Sequence, residues 1–325
     1  MTTNKKRSLT GLKVTGNLHL GNYLGTLLPA LELTKTYDCI YFIADLHSLT
    51  TQRDGNALAT QTLDQVATWL ALGLDTDKHT LFRQSDVTEV TEFAWYLSCV
   101  TGLGLLEKAH AYKDSLAKGL EINHGTFAYP VLMAADILMY EPDVVPVGKD
   151  QKQHIELTRD MAGSLNALYG DILKLPEALI DERVMIIPGL DGQKMSKSYN
   201  NEVPLFCDEK TLRKKIMSIK TDSTALEEPK ILKGSLVGDL YTYFGSAAQF
   251  DDLAGRLQKG GLGWGHAKEE LFQVINEHIK EKRDRYNEFR KDEALLRKEL
   301  RKGAEKAKAL ALPTLSRVRH ALGFR

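Results

Sequence analysis

The segment Lys194-Met195-Ser196-Lys197-Ser198 sets two ammonium groups three residues apart, behind Gly189-Leu190-Asp191-Gly192-Gln193. Paired ammonium groups on a glycine-flanked loop can follow a polyphosphate as its charge grows in a transition state. They speed the reaction where their contacts strengthen as the phosphorus–oxygen bond breaks. A solvated basic loop has a similar composition, so the order of the residues weighs more than their charge. A second candidate is the turn Gly16-Asn17-Leu18-His19-Leu20-Gly21-Asn22, preceded by Lys13, Val14 and Thr15 and followed by a helical pattern from Tyr23 to Thr34. Glycine at 16 and 21 lets the backbone pass close to a ligand, and the helix start offers free amides and a positive dipole end. His19 and Asn22 can both donate to phosphate oxygens. The alternative is a capped strand-to-helix turn with no ligand. The spacing departs from the Gly-x-Gly-x-x-Gly fingerprint of dinucleotide binding, which argues against a dehydrogenase.

A third constellation lies on a predicted helix over Phe127 to Tyr140. Tyr129, Met133, Asp136 and Tyr140 fall at i, i+4, i+7 and i+11, on one face. A carboxylate buried there needs a donor. In a plain core stripe, Asp136 would cap a loop or pair with a lysine. No Ser-His-Asp or Cys-His arrangement is apparent, so nucleophilic catalysis by a side chain is not indicated.

The elements that must position these groups alternate. Short apolar runs at Cys39 to Ala44, Thr80 to Arg83, Val144 to Val147 and Val184 to Ile187 read as strands. Ala57 to Leu72, Thr91 to Val100, Phe127 to Tyr140 and Gln151 to Leu168 read as helices. Such alternation predicts an α/β fold with a Rossmann-like parallel sheet. From about Asp208 strand patterns nearly vanish. Gly255 to Gly265 reads as a glycine-rich loop. Two long helices follow, Ala267 to Lys291 and Glu293 to Leu310, then a short one ending near Leu322. The expected division is therefore residues 1–200 as a catalytic domain and 201–325 as an all-helical domain, whose last helix can pack back on the first.

Composition narrows the class. The 325 residues are 43% hydrophobic and carry 43 Lys plus Arg against 43 Asp plus Glu, so a nucleic-acid partner must be held by local charge. Ile279 to Lys308 has twelve basic residues against seven acidic ones, a modest excess suited to phosphate contacts. No apolar run is long enough to cross a bilayer. The basic start Met1 to Arg7 lacks the apolar core of a signal peptide. Cys39, Cys99 and Cys207 lie far apart and form no metal-ligand spacing, consistent with free thiols in a reducing cytoplasm.

His19-Leu20-Gly21-Asn22 resembles the first signature of the class I aminoacyl-tRNA synthetases, and Lys194 to Ser198 matches their second. Ala44 to Thr50, Tyr129 to Leu138 and Val145 to His154 resemble the bacterial tryptophanyl-tRNA synthetase family in particular, as do Arg290 to Ala294 and Gly303 to Ala307. The resemblance covers nearly the whole chain and is densest over residues 11–200. It implies activation of L-tryptophan by ATP with Mg²⁺, without a permanent cofactor or protein metal site, and transfer to the 3′-terminal adenosine of the tryptophan tRNA. It implies catalytic roles for His19, Asn22, Lys194 and Lys197. ATP contacts are implied at Lys13, Thr15, Gly16, His19, Gly21, Asn22, Gly148, Asp150 and Lys194 through Ser198. Tryptophan contacts are implied at His47, Tyr129, Met133, Asp136 and Gln151, with the indole N–H as donor to Asp136. Residues 201–325 become the anticodon-binding part, and a homodimer is expected.

Two positions depart from the family pattern. Where it typically has Gln-Pro-Ser or Gln-Pro-Thr, this chain has Lys13-Val14-Thr15; Lys13 reaches a substrate anion or points to solvent. Ser115 stands where a lysine is common, and Lys113 or Lys118 would replace its charge. Competing readings are a tyrosine-specific ligase, a catalytically silent paralogue and a small-molecule nucleotidyltransferase.

Overall fold

A computed structural model of the chain describes residues 5–117, 119, 122–148, 152–180 and 187–324. It forms two compact units. The first is built from Met1–Gly16, Ala30–Glu182 and Asp292–Arg325, the second from Asn17–Pro29 and Arg183–Lys291.

The first unit is centred on a parallel sheet of five strands: β1 (Arg7–Lys13), β2 (Asp38–Ala44), β3 (Thr80–Arg83), β4 (Val144–Val147) and β5 (Glu177–Ile180), in the order β3-β2-β1-β4-β5. Cys39 to Ala44 of β2 are all buried, as expected of a parallel strand covered on both faces. β1 pairs with β2 along its whole length, from Arg7↔Asp38 to Lys13↔Ala44, but with β4 only at Ser8↔Val144. The order reverses between β1 and β4, and sheets of this kind hold their ligands in the crevice outside the carboxyl ends of the strands at that point. Helices Gly55–Ala71, Glu89–Val100, His124–Leu138 and Lys152–Tyr169 follow the expected pattern, the first capped by Asp54 and the third by Asn123. Phe42, Phe82, Phe93, Val131, Ile137 and Leu165 anchor the core.

The structure corrects several expectations. β5 was not expected: Glu177-Ala178-Leu179-Ile180 is short and starts with a charge, and only its place beside β4 makes it a strand. The strand expected at Val184 to Ile187 lies outside the described residues except for Ile187. Gly255 to Gln258 are helical, not loop, because the helix Ala247–Gln258 starts from a Ser246–Gln249 capping box and its buried Leu253 and Leu257 hold it through Gly255. The two helices expected after residue 293 are one, Glu293–Ala321, which carries Pro313 within it. Its buried stripe continues on both sides of the proline through Ala307, Ala311, Leu315 and Val318, and that packing outweighs the lost hydrogen bond.

Gly303 lies where this last helix meets β3. A Cβ there would stand 1.7 Å from the Leu81 carbonyl oxygen, a backbone atom that cannot turn aside. The second unit is helical, with Glu209–Met217, Leu236–Tyr241, Ala247–Gln258 and the long Trp264–Lys291. Among the described residues no helix is long and apolar enough to cross a membrane.

Gly303→Ala is expected to cost about 3 kcal/mol, because helix and strand must separate. Gly255→Ala, with open space around it, should gain up to about 1 kcal/mol. Urea unfolding of both variants measures the contrast, and equal effects would refute the packing assigned to Gly303.

Candidate active site

Asp136 is 2% exposed on the helix His124–Leu138. Its Oδ2 accepts from His47 Nε2 at 2.9 Å and from Gln84 Nε2 at 2.7 Å. The protein thus supplies two donors of its own, neither of them the lysine or loop amide of the plain core reading. Both fall on Oδ2, however, and Oδ1 accepts no bond from the described residues. Burial raises the carboxyl pKa above the usual range, while the His47 and Gln84 bonds oppose that shift by favouring the charged form.

Gln84 was missed in the sequence. It is the first residue beyond β3, and a polar residue at the carboxyl end of a buried parallel strand is the signal that could have found it. Its Oε1 accepts from Leu46 N at 3.1 Å and His47 N at 3.4 Å, which fixes the amide with its NH₂ toward Asp136. Asp45 ties the same two loops together, accepting from Ser85 N at 3.0 Å and Ser85 Oγ at 2.5 Å. The carboxylate is therefore aimed by the ends of β2 and β3.

Beside this group lies a cavity of about 330 Å³, lined by His47, Thr50, Trp95, Tyr129 and Leu132 among others. That is within the range of small-molecule pockets. Asp136 is not part of its lining, but His47 both lines it and donates to Asp136. The His47 and Tyr129 rings meet edge to face at 6.3 Å. Tyr129 sits 3.5 Å from His154 Nε2, and burial pushes its hydroxyl pKa up to about 12. Met133 is half-buried on the same helix. Tyr140, expected on this face, is core: it lies beyond the helix end, edge-on to Phe82. Gly148 directly follows β4. Asp150, Gln151 and Lys118 lie outside the described residues, and Lys113 is exposed.

The first-signature turn is divided between the units. Lys13, Thr15 and Gly16 belong to the first, where Gly16 takes a φ of 89°. His19, Gly21 and Asn22 belong to the second. His19 and Asn22 form a reciprocal cap: Asn22 N donates to His19 Nδ1 at 3.3 Å, and His19 N donates to Asn22 Oδ1 at 3.1 Å. Burial, reinforced by the positive charge of Lys197 and opposed by Glu202, lowers the His19 pKa to about 4. The ring is neutral at pH 7. Since Nδ1 accepts, its proton is on Nε2, and Nε2–H is the donor available to an anion. The helix begins with Leu20–Asn22, passes through a π turn at Tyr23–Leu27, and ends with Leu28–Leu33.

The two signatures touch within the second unit. Gly21 N–H donates to Met195 Sδ at 3.2 Å, and a Cβ on Gly21 would meet His19 at 2.9 Å and Met195 at 3.3 Å. Met195 is 4% exposed, so its side chain anchors the loop. The lysine loop has an internal frame. Asn201, also missed in the sequence, accepts from Ser196 N at 2.8 Å and donates to Asp191 Oδ1 at 2.7 Å and to the Lys194 carbonyl at 3.1 Å. Ser196 Oγ accepts from Ser198 N. Lys194 and Ser198 are exposed, and Lys197 is half-buried with its pKa lowered by burial. Among the described residues, Lys13, Thr15, Gly16, His47, Tyr129, Met133, Asp136 and Gly148 belong to the first unit, and His19, Gly21, Asn22 and Lys194 through Ser198 to the second.

Comparison with known proteins is specific. The model of the family "tRNA synthetases class I (W and Y)" matches residues 1–280. The tryptophan–tRNA ligase of Fusobacterium nucleatum is 46% identical over 320 residues, 98% of each chain. The crystal structure of tryptophanyl-tRNA synthetase from Campylobacter jejuni, complexed with ADP and tryptophan, aligns with a TM-score of 0.94 at 44% identity over 98% of this chain and all of that one. The Mycoplasma pneumoniae synthetase aligns with a TM-score of 0.80 at 30% identity, covering 99% of this chain and 98% of its own.

Asn201→Ala should release the Ser196 amide and the Lys194 carbonyl, costing the loop about 1–3 kcal/mol. Amide hydrogen exchange at Ser196 is then expected to accelerate while the β2 amides keep their protection. Unchanged exchange at Ser196 would refute the hub role of Asn201.

Proposed function

The chain belongs to the class I tRNA synthetases of the tryptophan and tyrosine group, within the tryptophan–tRNA ligase family, and from that membership we propose how its residues carry the two steps of the reaction. In the first, a tryptophan carboxylate oxygen attacks the α-phosphorus of ATP. The new phosphorus–oxygen bond forms as the α–β bridge breaks, and pyrophosphate leaves with the electron pair. In the second, the 2′-hydroxyl of the terminal adenosine of the tRNA attacks the carbonyl carbon, the bond from that carbon to the phosphate oxygen breaks, and AMP leaves with the electron pair while the hydroxyl proton passes to its phosphate. Both steps need alignment and charge compensation more than a protein nucleophile.

The observation that carries the tryptophan reading is Asp136, with Oδ2 held by His47 and Gln84 and Oδ1 left to accept. The indole N–H donates to Oδ1, while Tyr129 and Met133 border the ring. The reading requires an ionised carboxylate, and both donors on Oδ2 favour that form. Phenylalanine would leave Oδ1 unpaired, at about 1–3 kcal/mol. Tyrosine has a donor of its own and must be excluded by the depth and shape of the pocket.

For the nucleotide, His19 Nε2–H, the Asn22 amide and the tips of Lys194 and Lys197 contact phosphate oxygens, with Ser196, Ser198, Thr15, Gly16 and Gly148 contributing hydroxyls or backbone. Met195 acts through the loop it anchors. Asp150 accepts from the ribose hydroxyls, and Tyr129 and Gln151 hold the substrate ammonium. Mg²⁺ enters as part of the nucleotide substrate, held by phosphates and water. Residues 201–325 form the anticodon-binding part, and their basic helices meet tRNA phosphates. The enzyme works as a homodimer in the cytoplasm.

Tryptophan-dependent ATP–pyrophosphate exchange tests the reading. Wild type should exchange with tryptophan and about 10⁴-fold less efficiently with phenylalanine. Asp136→Asn should lower kcat/KM for tryptophan by about 100-fold or more. Exchange driven by tyrosine instead would favour the tyrosine-specific alternative. No exchange from folded wild type would favour a silent paralogue.

A further inference from the structure

Lys13 is the last residue of β1, on the strand where the sheet order reverses. β1 and β4 pair only at Ser8 and Val144, so the carboxyl end of β1 borders the crevice rather than a neighbouring strand on that side. The backbone there is rigidly mounted. The Lys13 carbonyl accepts from Nε2 of buried Gln65 at 3.1 Å, and Val14 N–H donates to Oγ of buried Ser48 at 2.9 Å. The half-buried ammonium donates to Thr50 Oγ1 at 2.9 Å, and that hydroxyl donates onward to the His47 carbonyl. Thr50 and His47 both line the cavity that Tyr129 borders. Lys13 thus sits behind the cavity wall, not out in solvent.

An ammonium has three donors, and one is used here. Burial is what lowers the Lys13 pKa, and no carboxylate among the described residues opposes it. A cation kept half out of water beside one neutral hydroxyl is poorly solvated, and an anion in the crevice would relieve it. The reaction proposed above brings such anions, a carboxylate and an α-phosphate, into repulsive proximity. We propose that Lys13 binds an anionic oxygen of the reacting substrates, that of the tryptophan carboxylate or of the α-phosphate, where the resembled family typically carries a neutral glutamine. This inference rests on the tryptophan–tRNA ligase reading.

Wild-type exchange with tryptophan is measured first; its absence defeats the functional reading and leaves the Lys13 contact to direct binding. Lys13→Met keeps the stem and removes the charge and donors, and Lys13→Arg keeps the charge. Lys13→Leu replaces Lys13→Met if the latter melts early. Calorimetry compares L-tryptophan with L-tryptophanamide, which lacks the carboxylate, and steady-state exchange varies ATP. A carboxylate contact predicts tryptophan binding about 10- to 100-fold weaker in Lys13→Met with tryptophanamide binding unchanged, and partial recovery in Lys13→Arg. A phosphate contact predicts intact tryptophan binding with a comparable loss in kcat/KM for ATP. If the folded Met variant binds tryptophan and turns over ATP as wild type does, the inference is overturned. Equal weakening of tryptophan and tryptophanamide also overturns it, since that marks a merely structural lysine.

Discussion

A carboxylate buried in an α/β core is tolerable only when its lone pairs are answered, and which oxygen is answered decides what the site can recognise. Asp136 has both protein donors on one oxygen. Gln84 cannot turn its amide over, because its carbonyl end is occupied by backbone N–H groups at Leu46 and His47. That constraint reaches back through the turns after β2 and β3 to the register of the sheet. The pocket helix, the sheet order and the Asp45–Ser85 clasp all bear on where one carboxylate oxygen points.

The signature residues of the second unit follow a comparable logic. His19 and the lysine loop each stand on hydrogen-bonded backbone. His19 gives Nδ1 to its own helix start, which leaves Nε2–H as the outward donor, and a low pKa keeps the ring neutral. The lysine tips stand on a loop framed by Asn201 and anchored by the Met195 thioether on Gly21. Electrostatic catalysis gains most from groups that need not reorganise during the reaction, and this frame pre-sets the backbone from which the two lysines project.

Much of this was legible in the residues. The two signatures, the strands at Cys39 and Thr80, the helix bearing Asp136 and the family were readable because periodicity and residue order are local properties. Gln84 and Asn201 were not, since each matters through partners dozens of residues away or across a tight loop, and an isolated Gln or Asn has no local pattern. β5 escaped because four residues with a leading glutamate lack a strand's signature until β4 lies beside them. The last helix was divided after Leu310, close to Pro313, whereas the buried stripe that carries the helix through is seen only against its packing partners. For Asp136 the expected partners were the substrate, a loop or a lysine, because sequence cannot show that His47 and Gln84 reach it.

The central claim is that the free oxygen of Asp136 accepts the indole hydrogen. The most direct measurement is the ratio of kcat/KM in pyrophosphate exchange for tryptophan over its benzothiophene analogue, in which sulfur replaces the ring N–H and the shape is nearly kept. The account predicts that wild type prefers tryptophan by about 100-fold or more. A ratio near one would contradict it, because the ring would then be held by shape alone.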